Sequence, residues 1–123
     1  MPDPNFIILY VDSPTASAAF YADLFAWKLA EQSSTFALFV FASGGKLGLW
    51  QRHGVIPPPA AAAGGSELAF QVADAAAVRT CHEDWRRRGL KIVQAPVELD
   101  FGLSFVALDP DGHPLRVFSM AAP

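Results

Sequence analysis

The chain has 123 residues, of which 52% are hydrophobic, and its formal net charge is −3. This length suits one compact domain or two small modules. Basic residues are concentrated only at 86–88, as expected for the solvated end of a helix, which argues against the broad basic face typical of nucleic-acid-binding proteins. The one cysteine excludes an intramolecular disulfide and is compatible with a reducing cytoplasm. No apolar run approaches the ~20 residues that span a bilayer, and no secretion signal is recognisable. We therefore expect a cytoplasmic protein that binds neither membrane nor nucleic acid.

The first half of the chain predicts a strand, a helix and three further strands. An apolar run over Phe6–Val11 is typical of a buried strand. Ser13 and Pro14 are a typical N-cap and first helical residue, and helical periodicity continues to Trp27, with Phe20 and Leu24 on the same face. The next predicted strands cover 29–33 and 35–41, and a glycine turn at 43–45 leads into a strand over 46–51.

The second half predicts the same element order after a connection rich in proline, alanine and glycine over 54–65. A strand over 67–72 leads to Asp74, a typical N-cap, and to a helix over 75–88 that ends at Gly89. We expect Val78, Cys81 and Trp85 to face the core. The remaining predicted elements are a strand over 90–94, a loop over 96–102, a strand over 103–108, a turn at 109–112 and a strand over 114–120.

These two halves also repeat each other in sequence. The run Phe6–Val11 with Asp12 is echoed by 67–72 with Asp74, and segments 39–42 and 47–50 are matched by 105–108 and 115–118. Repeats of this kind indicate copies of one supersecondary unit. We predict an α+β chain with a βαβββ module at 1–53, a linker at 54–65 and a second βαβββ module at 66–123.

Two motifs carry a resemblance to a known family. Val11-Asp12 precedes the helical segment 20–27, FYADLFAW, and the segment 109–113, DPDGH, lies near the C-terminus. On these motifs the chain resembles the vicinal oxygen chelate superfamily, which includes glyoxalase I, extradiol dioxygenases and bleomycin-resistance proteins, with Ala26 where glycine is usual. The resemblance covers essentially the whole chain. It implies two tandem modules whose curved mixed sheets enclose a cleft, often in a homodimer.

Four positions of this chain correspond to the metal ligands of metal-dependent family members. The resemblance places them at Phe6, Gly48, Glu67 and Arg116, where such members carry His, Gln or Glu. A divalent metal site needs oxygen or imidazole ligands, and these positions offer only one carboxylate. Arginine has no acceptor atom and repels a cation, and the three histidines lack a ligand-like spacing. We therefore predict neither a metal nor another cofactor.

The replacements at these positions predict two contacts. First and last strands of a family module are neighbours, so Glu67 and Arg116 are expected to meet as a cross-strand ion pair. That pair either neutralises two former ligand positions or hydrogen-bonds the polar edge of a ligand. Gly48 leaves room for Phe6, or for a flat ligand lying against it.

Strand alternation predicts an aromatic pocket on the sheet face that carries the four former metal-ligand positions. We expect Trp50 to be the main stacking residue for a planar ligand, helped by Phe6 and Phe118; alternatively, these rings fill the barrel without a ligand. The orientation of the segments around Phe39 and Phe105 stays open. The predicted ligand-binding residues are Phe6, Ile8, Tyr10, Phe39, Phe41, Gly48, Trp50, Glu67, Phe101, Phe105, Arg116 and Phe118.

These residues favour a binding protein over an enzyme. We expect metal-independent sequestration of a small planar aromatic compound, in the manner of the family's antibiotic-resistance proteins, by a homodimer. The alternative is a glyoxalase-like lyase, or another small-molecule enzyme, that uses Glu67 as acid or base. A third alternative is a module that acts through dimer contacts alone. The identity of the ligand stays open, as does whether the modules pair within one chain or across two.

Overall fold

Residues 1–122 of the chain are described in a computed structural model. They form two units, Met1–Ala62 and a second unit that begins at Ala63. Each unit contains one helix and one four-stranded mixed sheet in the order βαβββ. The predicted α+β fold with two tandem modules is therefore confirmed. Neither helix combines the length and apolarity needed to cross a bilayer.

In the first module, the first and last strands lie side by side. The sheet order is β1-β4-β3-β2, in which β1 and β4 are parallel and the other neighbours antiparallel. The helix packs on one face of the sheet, and we call the opposite face of each sheet its open face. The elements are β1 (Phe6–Val11), α1 (Pro14–Phe25), β2 (Leu29–Gln32), β3 (Phe36–Val40) and β4 (Lys46–Gln51), followed by a 3₁₀ turn at Arg52–Gly54.

Helix α1 begins as predicted but ends earlier. Ser13 Oγ accepts a hydrogen bond from the Ala16 amide at 3.2 Å, which confirms the N-cap. The helix ends at Phe25 because Ala26 adopts a left-handed conformation with φ of 57°. The chain turns there, and the Trp27 ring stacks on Phe25 at 4.3 Å. The sequence places Phe20 and Leu24 on the apolar face of the helix, but both are half-buried. The fully buried aromatic residue of the helix is Tyr21, so the predicted centre of the apolar face was wrong.

The second module repeats this arrangement. Its sheet order is β5-β8-β7-β6, with β5 and β8 parallel. Asp74 Oδ1 accepts from the Ala77 amide at 2.8 Å, which confirms the second N-cap. Val78 and Trp85 of the helix are buried against the sheet, whereas Cys81 is half-buried. The elements are β5 (Leu68–Gln71), α2 (Ala75–Arg87), β6 (Lys91–Leu99), β7 (Gly102–Leu108) and β8 (Pro114–Met120).

Strand β6 is longer than predicted. The sequence predicts a loop over 96–102, but the strand continues through Pro96 to Leu99. Proline lacks the amide hydrogen that an inner strand needs, yet it is tolerated at sheet edges and bulges. Strand β6 is an edge strand that pairs with β7, and its register shifts between Gln94 and Val97. Pro96 therefore lies where no ladder hydrogen bond depends on it.

The first residue of β7 is predicted to be a critical glycine. Gly102 has a φ of +147°, and a Cβ there would overlap the backbone oxygen of Ser119 on β8 and lie 2.8 Å from the Ala121 nitrogen. We expect Gly102→Ala to lower the free energy of unfolding by at least about 3 kcal/mol, through overlap and backbone strain. Urea unfolding followed by circular dichroism measures this change.

The matched control is Gly65→Ala. Gly65 has no other atom within 4 Å of the added Cβ, so we expect a change of less than about 0.5 kcal/mol. Equal stability of the two alanine variants would contradict the close approach of β7 and β8 at Gly102.

Candidate functional site

A pocket of about 430 Å³ lies on the open face of the second sheet. This volume falls in the lower part of the range of about 300–1,000 Å³ found for small-molecule sites. The lining side chains come from the sheet, from the residue just before β5 and from the short turn between β6 and β7. They are Glu67, Ala69, Leu99, Phe101, Arg116, Phe118 and Met120.

The polar end of this pocket is an ion pair. Arg116 Nε donates to Glu67 Oε1 at 2.8 Å, so the two charges meet as the sequence predicted. The side chains are 24% and 37% exposed, respectively. Arg116 and Ala69 are Cα partners in the parallel β5–β8 pair, and Glu67 immediately precedes β5. The strand pairing therefore brings the two residues together.

Ser104 completes the polar end, and sequence reasoning missed it. Arg116 Nη1 donates to Ser104 Oγ at 2.9 Å, and Ser104 is fully buried. Ser104 lies on β7 opposite Phe118, two register positions from the Val106–Arg116 pair. Cross-strand neighbours two positions apart share a face of the sheet, so the β7–β8 hairpin register was the signal that identifies Ser104.

Two aromatic rings form part of the apolar lining. Phe101 and Phe118 meet edge to face, with ring centroids 5.4 Å apart and planes at 89°. Both were predicted site residues, and the structure places both in the pocket. Leu99 and Met120 also line it but were missed. Leu99 was hidden by the loop predicted over 96–102, whereas Met120 follows Phe118 by two positions on β8 and so shares its face.

The open face of the first sheet carries three more of the predicted aromatic residues, Phe6, Tyr10 and Trp50. Tyr10 and Trp50 are Cα partners whose rings meet edge to face at 6.5 Å. Phe6 and Ile8 lie on the same face and are 42% and 43% exposed. A role for Trp50 in stacking on a ligand stays a prediction.

Gly48 makes space on this first open face, as the sequence predicted. A Cβ at Gly48 would lie 3.0 Å from the Phe6 ring and 2.8 Å from Cζ of Phe36. Phe36 was missed because it was placed inside a strand whose alternation was not resolved. The glycine therefore accommodates two rings rather than one.

Three predicted site residues pack against core aromatic residues instead, two of them fully buried. Phe39 is fully buried and packs on Trp27 at 5.9 Å, and Phe41 meets the same indole at 4.8 Å. Phe105 is fully buried and contacts Trp85 at 5.4 Å. Phe39 and Phe105 belong to the alternate set of strand positions that faces the helix, whereas Phe41 directly follows β3 and is half-buried. Phe39, Phe41 and Phe105 therefore stabilise the modules and do not line the pocket.

The residues at the family's metal positions do not fit a chelated metal. Phe6 and Gly48 of the first module offer no side-chain donor atom, and Glu67 of the second module is engaged by a cationic guanidinium. Among residues 1–122, no group of three or more His, Cys, Asp or Glu side chains is arranged to hold a metal ion. Metal-independent binding stays a prediction, now supported by the chemistry of these side chains.

The free thiol is unsuited to nucleophilic catalysis. Burial raises the pKa of Cys81 to about 11, and the nearby Asp84 carboxylate adds to this increase. The thiolate is the reactive form of cysteine, so Cys81 stays protonated at neutral pH.

The Arg116 network predicts a specific pattern of stabilities. Arg116→Met leaves the buried Ser104 hydroxyl without its partner, and we expect the free energy of unfolding to fall by about 2 kcal/mol. In a Ser104→Ala background the hydroxyl is absent, so we expect Arg116→Met to lower the free energy of unfolding by about 1 kcal/mol less than it does in the unmodified protein. Urea unfolding of the four proteins in this cycle measures the coupling. Strictly additive costs would show that the Arg116–Ser104 hydrogen bond contributes nothing.

Comparison with known proteins identifies the family. The model of the Glyoxalase/Bleomycin resistance protein/Dioxygenase superfamily matches residues 4–117. A protein from Agrobacterium tumefaciens, solved by solution NMR, is 47% identical to this chain, with 99% of this chain and 100% of that chain covered and a TM-score of 0.90. No curated protein matches the chain.

Two more distant crystal structures share the fold. A glyoxalase-related enzyme from Fulvimarina pelagi is 21% identical, covering 97% of this chain and 88% of that chain with a TM-score of 0.83. Lactoylglutathione lyase from Agrobacterium tumefaciens is 20% identical, covering 93% of this chain and 90% of that chain with a TM-score of 0.74. The family-model match across most of the sequence shows that this chain belongs to the glyoxalase/bleomycin resistance protein/dioxygenase superfamily, the vicinal oxygen chelate superfamily that its motifs resemble.

Proposed function

We propose that the second module binds a small planar aromatic compound without a metal ion, and that the protein acts by sequestering it. The observation that carries this proposal is the pocket itself, which combines an edge-to-face aromatic pair, Phe101 and Phe118, with one neutralised polar end. Apolar walls with a few placed polar groups are the general form of a small-molecule site. An antibiotic is the class of compound that the family name suggests.

Exposed apolar surface supplies the driving force for binding. Phe101 and Leu99 are each 36% exposed and Met120 is 55% exposed, so a flat ligand covers apolar surface that otherwise faces water. Covering about 100 Å² of such surface contributes about 2.5 kcal/mol before the cost of association is subtracted. Phe118 is less exposed and is held by Phe101, so its ring is positioned before a ligand arrives.

An acid–base enzyme is the second candidate. It is favoured by one observation, the carboxylate of Glu67 in the pocket lining. However, Glu67 Oε1 already accepts a hydrogen bond from Arg116, and the Cys81 thiol is protonated at neutral pH. Sequestration needs neither a nucleophile nor a free base, so the pocket supports it better.

We also propose that the protein works as a homodimer in the cytoplasm.

Substitution of Phe118, with ligand binding as the measurement, tests the proposal. The probe is 2-acetylnaphthalene, and the readout is the methyl signal of ¹³C-labelled Met120, which lines the pocket, with Met1 as the internal reference. We expect a saturable shift of the Met120 signal and an unchanged Met1 signal. Phe118→Ala is expected to weaken binding by about tenfold, because it removes a central ring of the lining.

Two control variants sharpen this test. Phe118→Leu retains apolar bulk and is expected to weaken binding only about threefold. Val93→Ala changes an exposed residue of β6 that does not line the pocket, and we expect no effect on affinity. A Met120 shift that does not saturate, or equal affinity in Phe118→Ala and the unmodified protein, would overturn the proposed binding site.

A further inference from the structure

Arg116 has hydrogen-bonding capacity that the protein does not use. An arginine side chain carries N–H donors on three nitrogens. Nε donates to Glu67 and Nη1 donates to Ser104, whereas no residue within 1–122 accepts a hydrogen bond from Nη2. Because Arg116 lines the pocket and is 24% exposed, this nitrogen is available to a ligand.

The charge of this donor is already compensated. Glu67 is paired with Arg116 at 2.8 Å, and these two are the charged side chains among the lining residues. An anionic ligand oxygen at Nη2 would therefore lie near the Glu67 carboxylate and be repelled by it. A neutral oxygen gains the hydrogen bond from a charged donor without that repulsion.

We infer that the pocket selects uncharged planar aromatic compounds that carry a carbonyl-type oxygen on the ring system, in preference to aromatic carboxylates of the same shape. The oxygen accepts a hydrogen bond from Arg116 while the ring covers Phe101 and Phe118. Glu67 acts as the selectivity residue, since it cancels the charge that would otherwise attract an anion. This inference rests on the proposed function of the same pocket.

Three naphthalene derivatives test the selectivity. They are 2-acetylnaphthalene, with a neutral acceptor, 2-naphthoate, with a similar shape and a negative charge, and 2-ethylnaphthalene, with no acceptor. Binding is followed through the Met120 methyl signal. For the unmodified protein we expect 2-acetylnaphthalene to bind at least about fivefold more tightly than either of the others.

Glu67→Gln provides the charge-switch test. Glutamine retains the shape of the side chain but leaves the Arg116 charge uncompensated. We expect the affinity for 2-naphthoate, relative to the affinity for 2-acetylnaphthalene, to increase at least about fivefold in this variant. An unchanged ratio of the two affinities in Glu67→Gln would overturn the role of Glu67.

The remaining outcomes separate this inference from the proposed function. Equal affinities of the unmodified protein for all three compounds, or tighter binding of 2-naphthoate, would overturn the selectivity and leave the aromatic pocket supported. If none of the three compounds gives a saturable Met120 response, the proposed function is contradicted, and this inference with it.

Discussion

Parallel pairing between the first and last strand of each module is the constraint on which the rest of this structure depends. Strand β1 pairs with β4, and β5 with β8. Parallel neighbours cannot be joined by a hairpin, and in each module the intervening chain includes a helix that packs on one face of the sheet. The opposite face is therefore left open in each module. In the second module, the same pairing places Glu67 beside Arg116 and so builds the polar end of the pocket.

The two copies of the module use this shared geometry differently. In the first copy, Gly48 accommodates the rings of Phe6 and Phe36, so two aromatic rings pack where a side chain at this position would otherwise project. In the second copy, Glu67 and Arg116 neutralise each other next to an aromatic lining. Neither arrangement supplies the set of oxygen or imidazole donors that a divalent ion requires. A difference between duplicated modules thus changes the chemistry of the site while the strand order is retained.

Much of this architecture was predictable because strands and caps leave strong local signals. The Glu67–Arg116 pair followed from the resemblance together with the expected neighbouring strands. The continuation of β6 to Leu99 was not predictable in the same way. Proline usually interrupts a strand, and the sequence alone does not show that β6 is an edge strand, where proline is tolerated. Leu99 was therefore missed as a lining residue. The orientation of Phe105 also escaped prediction, since β7 is buried along most of its length and its composition does not distinguish the two faces.

The central claim is that the pocket works without a chelated metal ion. The metal content of the purified protein tests this claim most directly. The chain is produced without a metal-binding tag, purified without chelators, and examined by inductively coupled plasma mass spectrometry. Since Phe6, Gly48 and Arg116 provide no ligand atoms and Glu67 is paired, we predict no stoichiometric zinc, nickel, manganese or iron. One tightly held ion of any of these metals per chain would contradict the account.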